Sequence, residues 1–510
     1  MVRNARTQLF SNVLASGLTY LVAIGIGFVM PRIIYEAVGQ ESLGIWDLGW
    51  SFLIYVSFSG IGFGQAVSYF IARKDAEKLQ SEIGSICATG WWAQCAVSLV
   101  TAGSFVIIMN LAAASHSDNP VLMDEISRIT LYLSLTIGIV MFGDIAHGVL
   151  IGQHKSRITE YINLIHDLLL AFAMVAALLL GYGIQGLALV TLILRLCSEL
   201  VRYVFAFSIC RQMSISPFQV STENGATLLR YSMKTSINVL QDLLVHQSMR
   251  LLLFLSMGPV VLAAFSRYAT IMRQINRLTD RLSMSLSTVT SALVASGAAE
   301  EVSSLYVEST RMAVLISLPL LSVFAVGGDL IVTLWMGPEF VIDHVAVLLA
   351  SGALLHANYS ISYRLLSGLN AHGRIGLFSI FLSGLGVMAA LSTIESVNAV
   401  NAALIVALVL LVTVHVPHVV FMLFKSHANP LRLILDIYAK PIGINITFLA
   451  LLLAARWLAE NGNGILAATV TALSVFSVCW ASWHFVVGED LKLRIKGFVL
   501  RQGNSETGVY

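Results

Sequence analysis

Hydrophobic residues fill most of the chain in blocks of about twenty or more, separated by short polar connections. A membrane-spanning helix needs about 20 consecutive apolar residues, so each block predicts one span. The pattern therefore predicts an all-α polytopic membrane protein. Its fourteen predicted spans are 8–30, 45–71, 83–112, 127–151, 161–181, 186–208, 233–257, 260–288, 310–333, 346–369, 376–394, 399–424, 441–459 and 464–487.

The composition agrees with this class of protein. The 510 residues are 57% hydrophobic and 11% charged, with a mean hydropathy of +0.82. A net charge of +2 argues against a nucleic-acid partner. The five cysteines lack metal or disulfide spacing, and no Gly-rich phosphate loop ending in Lys-Ser or Lys-Thr occurs. We therefore expect no metal, no cofactor and no nucleotide-driven motor in the chain.

Basic residues cluster in alternate connections, after spans two, four, six, twelve and fourteen. Only Arg32, Arg128 and Arg456 fall in the other connections. Because cytoplasmic loops are enriched in lysine and arginine, we expect both termini in the cytoplasm. The connections are too short for a folded soluble domain, which argues against a membrane enzyme such as a glycan polymerase.

The two halves of the chain resemble each other, as in many transporters. The end of the fourth span, 150–158, matches the end of the tenth, 366–375, at an offset near 216. The glycines at two hairpin turns, Gly39 and Gly258, are 219 residues apart. The predicted division is an N-terminal six-helix lobe (1–212), a cytoplasmic linker (213–232), a C-terminal six-helix lobe (233–425), two additional helices (426–487) and a cytoplasmic tail (488–510).

The seventh and eighth predicted spans carry an unusual number of polar side chains. One stripe recurs every four residues: Asn238, Asp242, His246 and Arg250. A second group projects onto an arc of about 120°: Arg267, Arg273, Arg277 and Arg281. An arginine at the bilayer centre costs roughly 2.5–3.5 kcal/mol, so such residues usually face a protein interior or a water-filled cavity.

Guanidinium groups suit phosphate oxygens because they donate two parallel hydrogen bonds and keep their charge when desolvated. We therefore predict that these arginines and His246, with Arg364 of the tenth span, form a cationic substrate-binding surface. The alternative is structural, since Arg250 and Arg281 lie near span ends and can extend to the headgroups.

Buried acids are candidates for coupling transport to an ion such as H⁺ or Na⁺. The candidates are Asp47, Asp144, Asp167 and Asp242. The alternative is that each acid neutralises a nearby arginine inside the helix bundle. In the sixth span, Arg195 and Glu199 are four residues apart, a spacing that predicts mutual neutralisation.

Several stretches resemble the polysaccharide-transporter branch of the multidrug/oligosaccharidyl-lipid/polysaccharide exporter superfamily. They are Pro31-Arg32-Ile33-Ile34 with Gly39-Gln40-Glu41-Ser42-Leu43-Gly44-Ile45-Trp46, Gly60-Ile61-Gly62-Phe63-Gly64-Gln65-Ala66 and Leu334-Trp335-Met336-Gly337-Pro338-Glu339-Phe340. The resemblance runs from about residue 8 to 425. It implies two six-helix lobes around a cavity that opens alternately to the two sides of the membrane.

The resemblance also implies a function. Flippases of this branch move undecaprenyl-diphosphate-linked oligosaccharides across the bacterial inner membrane for O-antigen (lipopolysaccharide), capsule or exopolysaccharide assembly. Drug exporters of the superfamily typically carry an acid in the first span, whereas residues 8–31 contain none. We therefore expect a flippase rather than an enzyme. Its partners would be the lipid-linked oligosaccharide and membrane lipids, with a polysaccharide polymerase and chain-length machinery as candidates.

Two other functions stay open at this point. The first is a multidrug or metabolite antiporter of the same fold. The second is a membrane-embedded glycan polymerase or transferase.

Overall fold

The chain folds into fourteen α-helices in the computed structural model, which describes residues 2–58, 63–76, 80–114, 120–153, 155–212, 219–283, 286–297, 300–369, 371–393, 399–425 and 430–485. The helices are α1 (Val2–Phe58), α2 (Gly64–Ala76), α3 (Gln80–Ala114), α4 (Pro120–Gly152), α5 (Ser156–Leu179), α6 (Gly183–Gln212), α7 (Thr222–Ser283), α8 (Leu286–Ala295), α9 (Glu301–Met336), α10 (Val345–Gly368), α11 (His372–Thr393), α12 (Ala399–Lys425), α13 (Pro430–Glu460) and α14 (Gly464–Phe485). A short 3-10 helix, Pro338–Phe340, lies between α9 and α10.

Most predicted spans correspond to single helices. The third to sixth match α3–α6, and the ninth to fourteenth match α9–α14, with ends that differ mainly by a few residues. Within the described part of the chain, nine helices are long and apolar enough to cross a membrane. The predicted all-α fold is therefore confirmed, and the protein is a multi-pass membrane protein.

The remaining predicted spans lie in helices that bend or break. α1 and α7 each contain one glycine with non-helical backbone angles, Gly39 (φ 83°, ψ 176°) and Gly258 (φ 84°, ψ 176°). Only glycine adopts such a positive φ without steric cost. The two hairpin turns predicted at these glycines are confirmed, and their backbone conformations are nearly identical 219 residues apart.

The second span differs from the prediction. The pattern predicts one helix over 45–71, whereas the structure begins a separate helix, α2, at Gly64. The backbone N–H groups of Phe63 and Gly64 donate to Gln94 Oε1 (2.7 Å) and Asp144 Oδ2 (3.0 Å). The first N–H groups of a helix lack partners within the helix, and in a membrane the protein itself must supply them. These two side chains therefore stabilise the start of α2.

The internal repeat recurs as the same contact in both halves. Gly152 at the end of α4 packs against the backbone of Ser68 in α2, and Gly368 at the end of α10 packs against Ser287 in α8. The glycines are 216 residues apart and the serines 219 apart, the two offsets found in the sequence. A Cβ on either glycine would come within 2.9 and 2.6 Å of the serine carbonyl oxygen. Close backbone contact therefore requires glycine at both positions.

The helices belong to two compact units. The first comprises Met1–Ser266 and Ser396–Ala403, and the second comprises Arg267–Glu395 and Leu404–Tyr510. α7 begins at Thr222, so part of the predicted linker 213–232 is helical. The division into two lobes at that linker stays a prediction, as does the orientation of the termini, and the predicted tail 488–510 lies outside the described residues.

The two helices predicted as additions to the repeat, α13 and α14, belong to the second unit. Arg311 Nε in α9 donates to the carbonyl oxygen of Asp436 in α13 (2.9 Å). Farther along both helices, Asn445 Nδ2 donates to Ser322 Oγ (2.8 Å). Because polar atoms cannot find water in the lipid, such bonds fix the position of α13 along α9.

Candidate functional site

Two of the predicted arginines are enclosed by protein. Arg267 in α7 is 1% exposed, and its guanidinium carbon lies 5.9 Å from the centre of the Trp335 ring. This arrangement is a cation–π contact within the second unit. Arg250 in α7 is 7% exposed. Both side chains are therefore covered by protein in this conformation.

Three other predicted arginines keep part of their surface accessible. Arg273 and Arg277 lie one turn apart in α7, and Arg364 lies in α10. All three belong to the second unit. The side chains of the remaining predicted residues lie outside the described part of the structure: Asn238, Asp242, His246 and Arg281.

A carboxylate lies beside these arginines and joins α7 to α10. Asp280 Oδ1 accepts hydrogen bonds from His356 Nε2 (3.1 Å) and Ser360 Oγ (2.7 Å). Ser360 Oγ is also 2.9 Å from Ser283 Oγ. The Asp280 side chain is 43% exposed and that of His356 is 13% exposed. The pair is thus a hydrogen-bonded site that water can still reach.

Arg364 lies on the same face of α10 as His356 and Ser360, because the three residues are spaced by four. Its guanidinium carbon is 5.8 Å from the centre of the Tyr363 ring, and its charge acts on Asp280. Among the described residues Arg364 forms no salt bridge. Its guanidinium group therefore keeps the capacity to bind an anion.

An aromatic cluster continues from this pair toward α12. The Tyr359 ring lies 4.6 Å from His415 and 5.0 Å from His418, measured between ring centres. His356 lies 5.5 Å from His415. The two α12 histidines are 3% and 0% exposed. Among the described residues, no group of three or more histidine, cysteine, aspartate or glutamate side chains is arranged to hold a metal ion.

The Asp280–His356–Ser360 cluster was not among the predicted site residues. A signal for part of it exists, because the spacing of His356, Ser360 and Arg364 draws a polar stripe down one face of the tenth span. The contact with Asp280 joins residues 76 and 80 positions apart. Spacing on a single helix could not reveal that contact.

The predicted ion-coupling acids of the first unit have different surroundings. Asp144 accepts the Gly64 N–H bond that stabilises the start of α2. Asp47 lies in α1 and is partly buried. The role of these acids in ion coupling stays a prediction.

The charge of Glu199 acts on Arg195 as predicted, but the hydrogen-bonded partner of Glu199 is Arg202, which the sequence analysis did not predict. Both Glu199 oxygens accept from Arg202 Nη1 at 2.5 Å, and Arg202 Nη2 donates to Asn163 Oδ1 at 2.8 Å. The Arg202 and Glu199 side chains are 7% and 5% exposed. Asn163 in α5 binds the Arg202 guanidinium group. This contact favours the pairing of Glu199 with Arg202, three residues away, over its pairing with Arg195, four residues away.

The sequence matches one protein-family model. The model describes polysaccharide biosynthesis proteins and matches residues 50–342, more than half of the chain. No match was found among curated protein sequences.

Solved structures share the fold at low sequence identity. A lipid II flippase, MurJ, in an inward closed conformation has a TM-score of 0.62 and 12% identity, covering 92% of this chain and 98% of its own. An inward-facing multidrug resistance MATE family transporter of the MOP superfamily has a TM-score of 0.58 and 15% identity, covering 81% and 94%. A MOP superfamily transporter from Pyrococcus furiosus has a TM-score of 0.53 and 13% identity, covering 83% of this chain and 93% of its own. The all-α fold of about fourteen helices that the resemblance implies is confirmed, while the cavity between two lobes stays a prediction.

Proposed function

The chain belongs to the family of polysaccharide biosynthesis proteins, and from this premise we propose that it is a flippase for polyprenyl-diphosphate-linked oligosaccharides. The lipid-linked unit would cross the bacterial inner membrane by alternating access for cell-surface polysaccharide assembly. Both termini would lie in the cytoplasm. The polyprenyl tail would stay in the lipid while the diphosphate is held by arginine side chains.

The observation that carries this proposal is the group of arginines in the second unit. Arg273, Arg277 and Arg281 of α7 and Arg364 of α10 supply four positive charges, and Asp280 supplies one negative charge. The excess is three positive charges, four minus one, in helices that otherwise consist largely of apolar residues. A diphosphate diester carries two negative charges, so its binding would lower the cost of holding these charges in a membrane.

The chemistry of the guanidinium group fits this ligand. Each arginine donates paired N–H groups in a planar fork that matches two phosphate oxygens. Charge-assisted hydrogen bonds of this kind contribute roughly 1.5–3 kcal/mol each. Arg250, Arg267 and His246 stay part of the proposed cationic surface, although the first two are covered by protein in this conformation.

A multidrug or metabolite antiporter is the second candidate, because the multidrug transporter of the MOP superfamily has nearly the same TM-score as the flippase, 0.58 against 0.62. The family match favours the flippase, as does the lack of any acid in residues 8–31. Coupling to H⁺ or Na⁺ through Asp47, Asp144 or Asp242 is compatible with either function and is a proposal for this chain. A polymerase and chain-length machinery remain proposed partners.

Reconstitution tests the proposal directly. Purified protein in phosphatidylcholine vesicles would be mixed with a radiolabelled undecaprenyl-diphospho-disaccharide, initially on both leaflets. A membrane-impermeant glycosidase outside the vesicles then measures the accessible fraction. The flippase should raise this fraction from about half toward completion, relative to protein-free vesicles.

Three outcomes would contradict the flippase. An unchanged accessible fraction would show that the protein does not transport the lipid-linked glycan. Glycan that is elongated, or cleaved before the glycosidase is added, would instead support a polymerase or transferase. Drug resistance of cells that overproduce the protein, without glycan transport, would support the antiporter.

A further inference from the structure

We propose that Gln65 and Tyr69 of α2, together with Tyr231 of α7, form a sugar-binding surface on the first unit. The ligand is the carbohydrate part of the lipid-linked unit. This inference rests on the proposed function, because it concerns the same substrate. It adds the sugar to what the protein recognises and assigns it to side chains outside the arginine group. None of the three residues was among the predicted site residues.

The accessible face of α2 differs in character from that of α5 in the same unit. The exposed side chains of α5 are all apolar or aromatic, for example Ile165 (58% exposed) and Phe172 (74% exposed). Such a surface is suited to lipid tails. Over residues 64–72 of α2, the exposed positions are Gln65 and Tyr69. Because these two residues are four apart, they lie on one face of the helix.

The exposed amide of Gln65 indicates that this face of α2 meets water or a polar ligand. Gln65 lies six residues before the end of the predicted second span, which is about 9 Å along the helix at 1.5 Å per residue. Among the described residues its amide forms no hydrogen bond. An amide that faces lipid tails without a hydrogen-bond partner is strongly unfavourable. A hydroxyl-rich ligand would supply the partners that lipid tails cannot.

Tyr69 places a fixed aromatic ring beside that amide. Tyr69 is 46% exposed, and its ring stacks on that of Tyr231, with 4.9 Å between the ring centres and 19° between the planes. Phe70 packs edge-on with both rings, at 5.1 and 5.7 Å. These contacts hold the Tyr69 ring in place and leave nearly half of the residue's surface accessible.

The start of α7, which carries the second tyrosine, is held on the first unit by α3. The Ser221 backbone N–H donates to Thr89 Oγ1 (3.0 Å), and Asn224 Nδ2 donates to Ser85 Oγ (2.9 Å). One turn before the tyrosine, Leu228 is 1% exposed and belongs to a hydrophobic cluster with residues of α2. Because the surface is built on fixed helices, a ligand that binds it orders few side chains.

An amide next to an aromatic ring is chemically suited to a sugar. One face of a pyranose ring presents mainly C–H groups, which pack on the negatively polarised face of an aromatic ring. Sugar hydroxyl groups both donate and accept hydrogen bonds, and the glutamine amide and the tyrosine hydroxyl do the same. Gln65 and Tyr69 are uncharged at neutral pH, so they are less suited to the diphosphate than arginine is.

The internal repeat shows that the fold does not require these side chains. The offset of 219 places Met284 and Thr288 of the second unit at the positions of Gln65 and Tyr69. The equivalent segment therefore has neither an amide nor an aromatic ring there. The second unit supplies the arginines and the first supplies this uncharged surface, so the two parts of the substrate are assigned to different units.

Tyrosine near the end of a span also anchors membrane proteins at the lipid headgroups. Tyr161 of α5 fits that role, since it is 52% exposed near the cytoplasmic end that the sequence predicts for its span. One turn farther along α5, its exposed neighbour is Ile165 rather than an amide. Tyr161→Ala is therefore the matched control for Tyr69→Ala.

The test measures binding of two lipids to the full-length protein in phosphatidylcholine nanodiscs. One lipid is undecaprenyl-diphospho-N-acetylglucosamine, and the other is undecaprenyl methyl diphosphate, in which a methyl group replaces the sugar. Both are diphosphate diesters with the same charge, so they differ in the sugar alone. Tyr69→Ala and Gln65→Ala should each bind the sugar lipid about five- to tenfold more weakly, the loss typical of truncating an important contact residue. Both should bind the methyl lipid as the wild type does, which also shows that they are folded.

Two further variants complete the test. Tyr69→Phe keeps the ring and should keep most of the affinity for the sugar lipid, while Tyr161→Ala should change neither affinity. Equal affinity of the wild type for the two lipids would overturn the inference and leave the flippase proposal intact. An equal loss for both lipids in Tyr69→Ala, or the same loss in Tyr161→Ala, would also overturn it. Binding of neither lipid by the wild type would overturn both proposals.

Discussion

The two units use charged side chains for different purposes at equivalent positions. In the first unit, Gly64 and Asp144 form a backbone-to-carboxylate bond that stabilises the start of α2. The offsets of 219 and 216 place Ser283 and Ser360 at the same positions in the second unit, where two hydroxyl groups meet at 2.9 Å. The backbone positions are therefore repeated in the two units. The charged side chain is not, because the equivalent of Asp144 is the neutral Ser360.

The difference extends to the neighbouring ion pairs. In the first unit, Arg202 is neutralised by Glu199 and held by Asn163, with both charged side chains at most 7% exposed. In the second unit, Arg364 has no salt-bridge partner among the described residues, and the Asp280 side chain is 43% exposed. A buried and neutralised pair supports the fold, while an accessible positive charge is suited to binding a ligand.

The largest effect is expected for the buried pair of the first unit. Glu199→Gln leaves the Arg202 guanidinium without its counter-charge in a protein interior, which typically costs about 3–5 kcal/mol. The unfolding temperature of the purified protein should fall strongly. The double variant Glu199→Gln/Arg202→Met should recover most of this loss, because it removes the uncompensated charge. A single variant as stable as the wild type would show that the pair is not structural.

Loss of an arginine of the second unit should reduce transport. Arg273→Ala or Arg277→Ala removes a charge-assisted contact worth roughly 1.5–3 kcal/mol, so transport should fall about ten- to a hundredfold. The measurement is glycan display at the cell surface together with the amount of protein in the membrane. Arg128→Ala is the matched control, because that side chain is 58% exposed and pairs with Asp124. Normal display in both variants would refute the binding role.

The repeated glycine contact should respond equally in the two units. Gly152→Ala and Gly368→Ala each place a Cβ against a serine carbonyl oxygen, and overpacking of this kind costs about 1–3 kcal/mol. Gly103→Ala and Gly384→Ala are controls, since a Cβ at either position meets no atom within 4 Å. The unfolding temperatures of Gly152→Ala and Gly368→Ala should be lower than those of the two controls. A loss in only one of the first two variants would break the equivalence of the units.

The smallest effect is expected for the hydroxyl pair. Ser283→Ala removes the neutral partner of Ser360, leaves the bond from Ser360 to Asp280 in place, and should lower stability by about 0.5–1.5 kcal/mol. Asp144→Ala should cost more, about 1–3 kcal/mol, because it leaves the Gly64 N–H buried without an acceptor. The measurement is the unfolding temperature of each variant, which should be lower for Asp144→Ala. An equal or larger loss for Ser283→Ala would contradict the contrast between the units.

The features that could be predicted from sequence are those encoded locally. Length and hydropathy predicted most helices, since a span needs about 20 apolar residues whatever its neighbours are. Gly39 and Gly258 predicted the two turns because glycine alone tolerates the required backbone angles. The start of α2 at Gly64 was missed, because its stability depends on Gln94 and Asp144 from other helices.

The site was predicted only in part for the same reason. The arginine stripe of α7 follows from helical spacing within one segment. Partner choice depends on three-dimensional contacts, as shown by Glu199, which binds Arg202 rather than Arg195 because Asn163 of α5 holds the guanidinium group. Asp280 and His356 likewise meet only because α7 and α10 pack together.

The central claim is that guanidinium groups of the second unit bind the diphosphate of a lipid-linked glycan. The most direct test compares the wild type with Arg277→Ala/Arg364→Ala in nanodiscs, using undecaprenyl-diphospho-N-acetylglucosamine and undecaprenol as ligands. The account predicts that the variant binds the diphosphate lipid at least about tenfold more weakly, since it loses charge-assisted contacts of roughly 1.5–3 kcal/mol each, and binds undecaprenol unchanged. Equal affinity of both proteins for the diphosphate lipid would contradict it.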